Sequence, residues 1–385
     1  MKRYSLNFWL LSLSSFLFFA SFNMVLPELP DFMRSFGGED FIGLHITFFT
    51  LTALISRPFS GKLTDTWGRI PVMVLGCLVT AVVSFFYPFF LNIYAFLFIR
   101  FLHGFSTGFK PTGTAAYVAD IVPASRRGEG MGVLSFFGMV GMGLGNYFGG
   151  EIAIRYSTEF LFYASAGVAI LSVLTLLGMK ETLSDRQKFS WSLLKIKKED
   201  VYEPTVLVPS VVMVLVTFSF GTALTLIPDY SLYLGIENKG LYMFYFTLSS
   251  LVSRIVGGRL SDRFGRRVVL MAAMLIVSTG CVYTGFSLTP RHFFIGALIL
   301  GGGYGLSSPS LFAWAADLAP DQYRGRGFST LFMALEIGIG MGAFLSGQIY
   351  AGNPENVSLI FSGCGTLAFV AFIYLVARKQ TVKLT

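Results

Sequence analysis

The stretch Gly61-Lys62-Leu63-Thr64-Asp65-Thr66-Trp67-Gly68-Arg69 returns as Gly258-Arg259-Leu260-Ser261-Asp262-Arg263-Phe264-Gly265-Arg266, an offset of 197 residues (258 − 61). The same offset carries Ser56-Arg57 onto Ser253-Arg254, Asp120 onto Asp317, Pro123 onto Pro320, Arg127 onto Arg324, Gly130 onto Gly327 and Gly145 onto Gly342. A register kept over such a length marks an internal duplication, which confines the fold to two like copies of one unit. In membrane proteins, duplicated units place a binding site at their shared interface and rock against each other around it.

A bilayer core takes about 20 apolar residues per helix. Runs of that kind lie near 6–27, 41–61, 70–91, 93–118, 128–150, 159–179, 206–228, 240–260, 267–286, 292–316, 327–350 and 357–377, six in each copy. The chain is 54% hydrophobic, 13% charged and has a mean hydropathy of +0.66, too apolar to hide its surface in a water-soluble core. The reading is an all-α membrane protein of twelve transmembrane helices in two six-helix bundles, 1–179 and 206–385. The polar segment 180–205 joins them. With Trp191 and Leu193-Leu194 set among mixed charges, it suits either a helix lying along the inner face or a loose linker.

The net charge of +8 is sorted by loop rather than gathered on a nucleic-acid surface. With a cytoplasmic N-terminus, that side receives Lys2, Arg3, Lys62, Arg69, Arg126, Arg127, the lysines of 180–205, Arg259, Arg263, Arg266, Arg267, Arg324, Arg326, Arg378, Lys379 and Lys383. The other side receives Arg34, Arg155, Lys239 and Arg291. This asymmetry predicts both termini in the cytoplasm and a multi-pass protein of the inner (plasma) membrane. Cys77, Cys281 and Cys364 fall within apolar runs without a CxxC pair, so they read as packing residues rather than a metal site or disulfide framework. The apolar run after Lys2-Arg3 lacks a clear cleavage site and is long enough to span, so it reads as the first helix rather than a signal peptide.

The duplicated stretch resembles the signature of the major facilitator superfamily, Gly-x-Leu-x-Asp-x-x-Gly-Arg, and both copies satisfy it. The resemblance covers essentially the whole chain and implies that superfamily's fold. It further implies that Gly61, Asp65, Gly68, Arg69 and Asp120, with Gly258, Asp262, Gly265, Arg266 and Asp317, form a cytoplasmic gate that latches the copies together when the carrier faces outward. Independently, an aspartate at a helix end pairs with arginine and with the positive N-terminus of a neighbouring helix. Gly61 and Gly258 permit close backbone approach.

The fourth run carries Arg100, His103, Thr107, Lys110, Thr114 and Tyr117 at spacings of three and four, hence on one helical face. A lysine or arginine at mid-membrane costs roughly 2.5–3.5 kcal/mol, so this face belongs against protein or a watery cavity. Arg100-Phe101-Leu102-His103-Gly104 resembles the superfamily pattern Arg-x-x-Gln-Gly, whose arginine is associated with proton coupling, and here His103 replaces the glutamine. His103 is a candidate proton switch or a packing histidine. Lys110 is a contact for an anionic or zwitterionic substrate or one member of a structural ion pair, with Glu336 of the eleventh run as possible partner or proton carrier.

In the fifth run Gly132, Gly141, Gly145, Gly149 and Gly150 are spaced as in the superfamily's antiporter signature, with Asn146 in place of its proline. Gly141, Gly145 and Gly149 make a flat packing face, echoed by Gly338 and Gly342. Further candidate cavity groups are Asn23 in the first run, Thr217, Thr222 and Thr225 in the seventh, and Tyr304, Ser307 and Trp314 in the tenth. Glu28, Asp31 and Asp229 read as rim charges.

The resulting expectation is a secondary active transporter working by alternating access: proton-coupled efflux of a small amphiphilic or anionic molecule. Proton symport of a small anion is the alternative, and a membrane sensor that has lost transport is the rival from another class. Gly301-Gly302-Gly303-Tyr304-Gly305 lacks the Lys-Ser or Lys-Thr of a phosphate loop, and His45, His103 and His292 form no HExxH. No cofactor is therefore expected, the proton gradient supplies the energy, an enzyme is disfavoured, and a monomer in the lipid bilayer suffices.

Overall fold

The structure is a computed structural model that describes residues 4–123, 127–184, 186–196, 201–320 and 324–377. Lys2, Arg3, Arg126, Lys197, Lys198, Arg378, Lys379 and Lys383, used above for sidedness, lie outside these residues. Twelve long helices run α1 (Leu6–Val25), α2 (Leu44–Thr66), α3 (Arg69–Phe86), α4 (Ile93–Ile121), α5 (Arg127–Arg155) and α6 (Thr158–Leu177), then α7 (Leu207–Tyr233), α8 (Leu241–Phe264), α9 (Arg266–Gly285), α10 (Pro290–Leu318), α11 (Arg324–Tyr350) and α12 (Asn356–Ala377). Among the described residues, nine helical segments are long and apolar enough to cross a membrane; α4, α8 and α10 are not among them. These three carry interior polar groups such as Arg100, Arg254 and Ser307, which lower their hydropathy.

Burial is turned inside out relative to a water-soluble protein. Phe98, Leu174, Val252 and Leu359 are more than half exposed while Arg100 and Lys110 are buried, as a hydrocarbon surrounding requires. The duplication reaches down to helix caps. Asn92 and Thr289, 197 positions apart (289 − 92), start α4 and α10, and each side chain accepts a backbone N–H of the first turn.

Helix pairing repeats as well. In the first copy α1 packs on α5 and α6, α2 on α4, and α3 on α4 and α6; in the second, α7 packs on α11 and α12, α8 on α10, and α9 on α10 and α12. Between copies α2 meets α11 and α5 meets α8. A Cβ on Gly141, Gly145 or Gly149 would strike the backbone of Phe16, Ala20 or Met24 in α1, and one on Gly338 or Gly342 would strike Val214 or Phe218 in α7. Such close approach replaces the hydrophobic effect as the force joining helices in lipid. Asn146 does not interrupt α5.

The joining segment departs from both expectations. Its described residues hold only the short 3-10 turns Trp191–Leu194 and Pro204–Val206, with no α-helix, and they are docked rather than loose. The Glu181 carboxylate accepts the N–H groups of Arg69 and Ile70 at 3.1 and 3.0 Å, Gln187 N–H donates to Thr66 at 2.8 Å, and Lys62 donates to the Lys195 carbonyl at 2.6 Å. Further on, Arg326 donates to Glu203 at 3.0 Å and holds its carboxyl below the ordinary range. Backbone groups spent on docking are not available for a surface helix.

Candidate functional site

The polar stripe of α4 lies inside the protein: Arg100, His103, Lys110, Thr114 and Tyr117 are buried and Thr107 is half-buried. Arg100 donates through Nη1 to the Tyr87 hydroxyl at 2.8 Å and through Nε to the His45 carbonyl at 3.2 Å, with the guanidinium 4.8 Å above the Phe49 ring. His103 Nδ1 lies 2.5 Å from the Tyr87 hydroxyl and 3.2 Å from Arg100 Nη1. A guanidinium nitrogen only donates, so Nδ1 is the acceptor in its contact with Arg100. His103 is thereby held as an acceptor on Arg100. Among the described residues, Arg100 Nη2, His103 Nε2 and His45 Nε2 have no hydrogen-bond partner.

Lys110 turns from the seam between the copies into the first copy. It donates to Thr114 at 2.9 Å and to Ser15 of α1 at 3.3 Å, and Cys77 of α3 is its electrostatic neighbour. Glu336, its expected partner, accepts instead from Arg57 Nη2 at 2.8 Å. The reason is geometric: Glu336 sits on α11, which packs on α2, the helix that carries Arg57. Sequence reasoning saw Arg57 only as a repeat position. Its signal as a site residue was a cation in the middle of an apolar run, with side chains of both partners about 95% buried once folded.

The second copy spends most of its candidate hydroxyls on its own backbone. Tyr304 donates to the Val216 carbonyl and lies 3.1 Å from Ser219 Oγ, while Ser307 donates to the Tyr304 carbonyl at 3.1 Å. Thr217, Thr222 and Thr225 donate to carbonyls of Met213, Gly342 and Gly221. Trp314 packs, half-buried, on the second-copy core. Asn23 in the first copy donates to Phe19 at 2.8 Å.

The two rims differ. At the rim of the repeated motif, Arg69 pairs with Asp65 at 3.0 Å and Asp120 at 3.1 Å, and Arg266 pairs with Asp262 and, at 3.1 Å, Asp317. Among the described residues, each cluster stays within its copy. Gly68 and Gly265 turn the chain into α3 and α9 at φ +136° and +87°, a backbone region that favours glycine. A Cβ on Gly61 or Gly258 would meet no described residue within 4 Å. At the opposite rim Arg34 pairs with Asp229, and Lys239 pairs with Asp31 and, at 2.5 Å, Glu28. Asn238 donates to Glu151 at 3.1 Å and to the Tyr147 carbonyl at 3.2 Å. Glu28, Asp31 and Asp229, expected only as rim charges, thus join the copies.

The family model described as Major Facilitator Superfamily matches residues 11–253 and, overlapping it, 209–384. The chain belongs to the Major Facilitator Superfamily. As a member, it is a secondary transporter that carries small molecules across a membrane. It is 26% identical to Multidrug resistance protein MdtG of Escherichia fergusonii over 98% of this chain and 95% of that protein. Multidrug resistance protein 1 of Bacillus subtilis is 24% identical over 91% of each chain, and the multi-drug resistance efflux pump PmrA of Streptococcus pneumoniae is 26% identical over 96% and 95%. The fold matches the crystal structure of the human organic anion transporter MFSD10 (TETRAN) with a TM-score of 0.75 at 18% identity, covering 96% of this chain and 98% of that one. The nucleoside transporter NupG matches with a TM-score of 0.75 at 15% identity. Among the described residues, then, ion pairs join the copies at the rim opposite the motif, while those at the motif rim lie within a copy.

Proposed function

We propose that this chain is a proton-coupled exporter of small amphiphilic organic molecules in the plasma membrane, operating by alternating access between two six-helix bundles, 1–179 and 206–385. The motif rim faces the cytoplasm in this reading, with both termini on that side. The observation that carries it is the pair of unlike rims, since a carrier that parts its bundles on one side at a time needs cross-bundle contacts on the other. Export is supported by the name of one relative, the efflux pump PmrA, which aligns over nearly the whole chain. The gate residues Asp65, Arg69, Asp120, Asp262, Arg266 and Asp317 lie ready within their bundles for a latch in the alternative state.

A second reading, movement of a small organic anion together with protons, is favoured by the interior charge. Arg57, Arg100 and Lys110 lie buried in the first bundle, and of these only Arg57 has a carboxylate partner in the described residues. Both readings are tested in proteoliposomes under an imposed pH gradient. A cationic amphiphilic dye is expected to move against the proton flow. A labelled aromatic carboxylate moving with the protons supports the second reading, and transport of neither overturns both substrate assignments.

A further inference from the structure

Two seams hold the copies together, and the 197-residue register relates them. Thr50 of α2 lies against Gly340 of α11, and Thr247 of α8 lies against Gly143 of α5; 247 − 50 and 340 − 143 are both 197. In that frame Arg57 corresponds to Arg254, and Glu336 corresponds to Met139. One seam carries an arginine and an acid, the other an arginine and a thioether. Arg254 donates to Ser308 at 3.1 Å and is left with an unpartnered Nε. A seam of this kind therefore holds without a carboxylate, and well-packed apolar residues commonly replace a buried ion pair at no loss of stability. Joining α2 to α11 does not account for Glu336.

Arg57 is also incompletely used. Its side chain is 6% exposed, its Nη2 donates to Glu336 and its guanidinium lies 4.6 Å from the centre of the Phe332 ring, yet among the described residues Nε and Nη1 find no acceptor. Two buried donors left empty carry a desolvation penalty that a ligand would relieve. Guanidinium presents its donors as a planar fork that matches a carboxylate in bidentate geometry, and Glu336 occupies only one nitrogen of it.

We propose that Arg57 is the binding site for the carboxylate of an organic anion, with Phe332 as the aromatic wall beside it, and that Glu336 is a resident occupant which the incoming anion displaces. Arg57 is the one charged side chain bearing on Glu336 among the described residues; α7, packed against α11 there, offers Val214 and Thr217. Lys110 is turned toward α1 and α3. A displaced Glu336 has lost its only counter-ion in a buried place, so it takes a proton from water as the anion binds. Anion and proton thus bind together, which rests on the second of the two transport readings and fixes the sign of its coupling at the level of binding.

Purified full-length protein is titrated in weak buffer with 1-naphthoate and, separately, with its neutral methyl ester, while an indicator dye follows protons. Wild type is expected to bind naphthoate with uptake of about one proton per anion, and the ester with none. Arg57→Gln is expected to weaken naphthoate about tenfold or more while leaving the ester within about twofold. Glu336→Gln is expected to bind naphthoate at least as tightly as wild type, without proton uptake. Should either single variant fail to fold, Arg57→Gln combined with Glu336→Gln leaves no unpaired charge and is expected to bind the ester alone. Naphthoate binding kept in any Arg57 variant, proton uptake kept in Glu336→Gln, or a wild type that takes the ester and refuses naphthoate overturns the assignment. Dye export in proteoliposomes would survive that failure, so the transport reading is judged separately.

Discussion

At the opposite rim Lys239 and Asp229 of the second copy reach Glu28, Asp31 and Arg34 of the first, whereas at the motif rim Arg69 and Arg266 each stay with aspartates of their own copy. Exposure separates the two arrangements further. The side chains of Lys239 and Glu28 are 8% and 6% exposed, against 72% and 70% for Asp65 and Asp262. Removing one member of a buried pair strands the other in low dielectric, while an exposed pair is worth little to stability. Among the described residues, the opposite rim is therefore joined by charges that resist parting, and the proposed latch at the motif rim would draw on charges now paired within each copy.

Lys239→Met gives the largest expected effect, because it leaves Glu28 buried without a cation. Breaking a buried pair costs about 3–5 kcal/mol, or roughly two to four decades in the balance between closed and parted rims. Spin labels at Glu39 and Tyr233, exposed on that rim in the first and second copies, should show a longer-distance population that wild type lacks. An unchanged distance distribution would break the comparison at its strongest point.

A glycine pair sharpens it on a smaller scale. Gly43 faces the backbone of Ala343 and Gly347 across the α2–α11 seam, while Gly61, farther along α2 near the motif, faces open space. Gly43→Leu should therefore drive the opposite rim apart at a cost of about 1–3 kcal/mol. Gly61→Leu should leave that rim closed and instead obstruct the approach that the latch requires. The same label pair reads both, and equal separation in the two variants would show that the rims are not distinct.

Much of this was legible in the sequence, for reasons that differ by region. The helices followed from apolar runs, because lipid leaves the backbone no alternative to internal hydrogen bonds. The burial of Arg100 and Lys110 followed from a three-four spacing on one face of α4. Pairings did not follow. Arg57 and Glu336 are 279 residues apart, and Arg34 and Asp229 are 195 apart, so neither periodicity nor register brings them together. The docking of Glu181, Gln187 and Lys195 on α2 and α3 was equally hidden, since it depends on main-chain donors and acceptors such as Gln187 N–H and the Thr66 carbonyl, which side-chain chemistry does not announce.

The smallest effect on stability should fall at the motif itself, and there the comparison meets function. Asp65 and its counterpart Asp262 are exposed and pair with Arg69 and Arg266 inside their own copies, so replacing either by asparagine removes an interaction worth about 0–1 kcal/mol. Thermal unfolding of Asp65→Asn should stay close to wild type. Turnover in proteoliposomes should nonetheless fall if, as proposed, the lost charge serves the latch that closes the motif rim when the opposite rim parts. Asp262→Asn should reproduce this if the clusters act as twins, or retain more activity if one copy carries the latch. Wild-type turnover in both variants would reduce the duplicated aspartates to topology and leave the opposite rim as the sole gate.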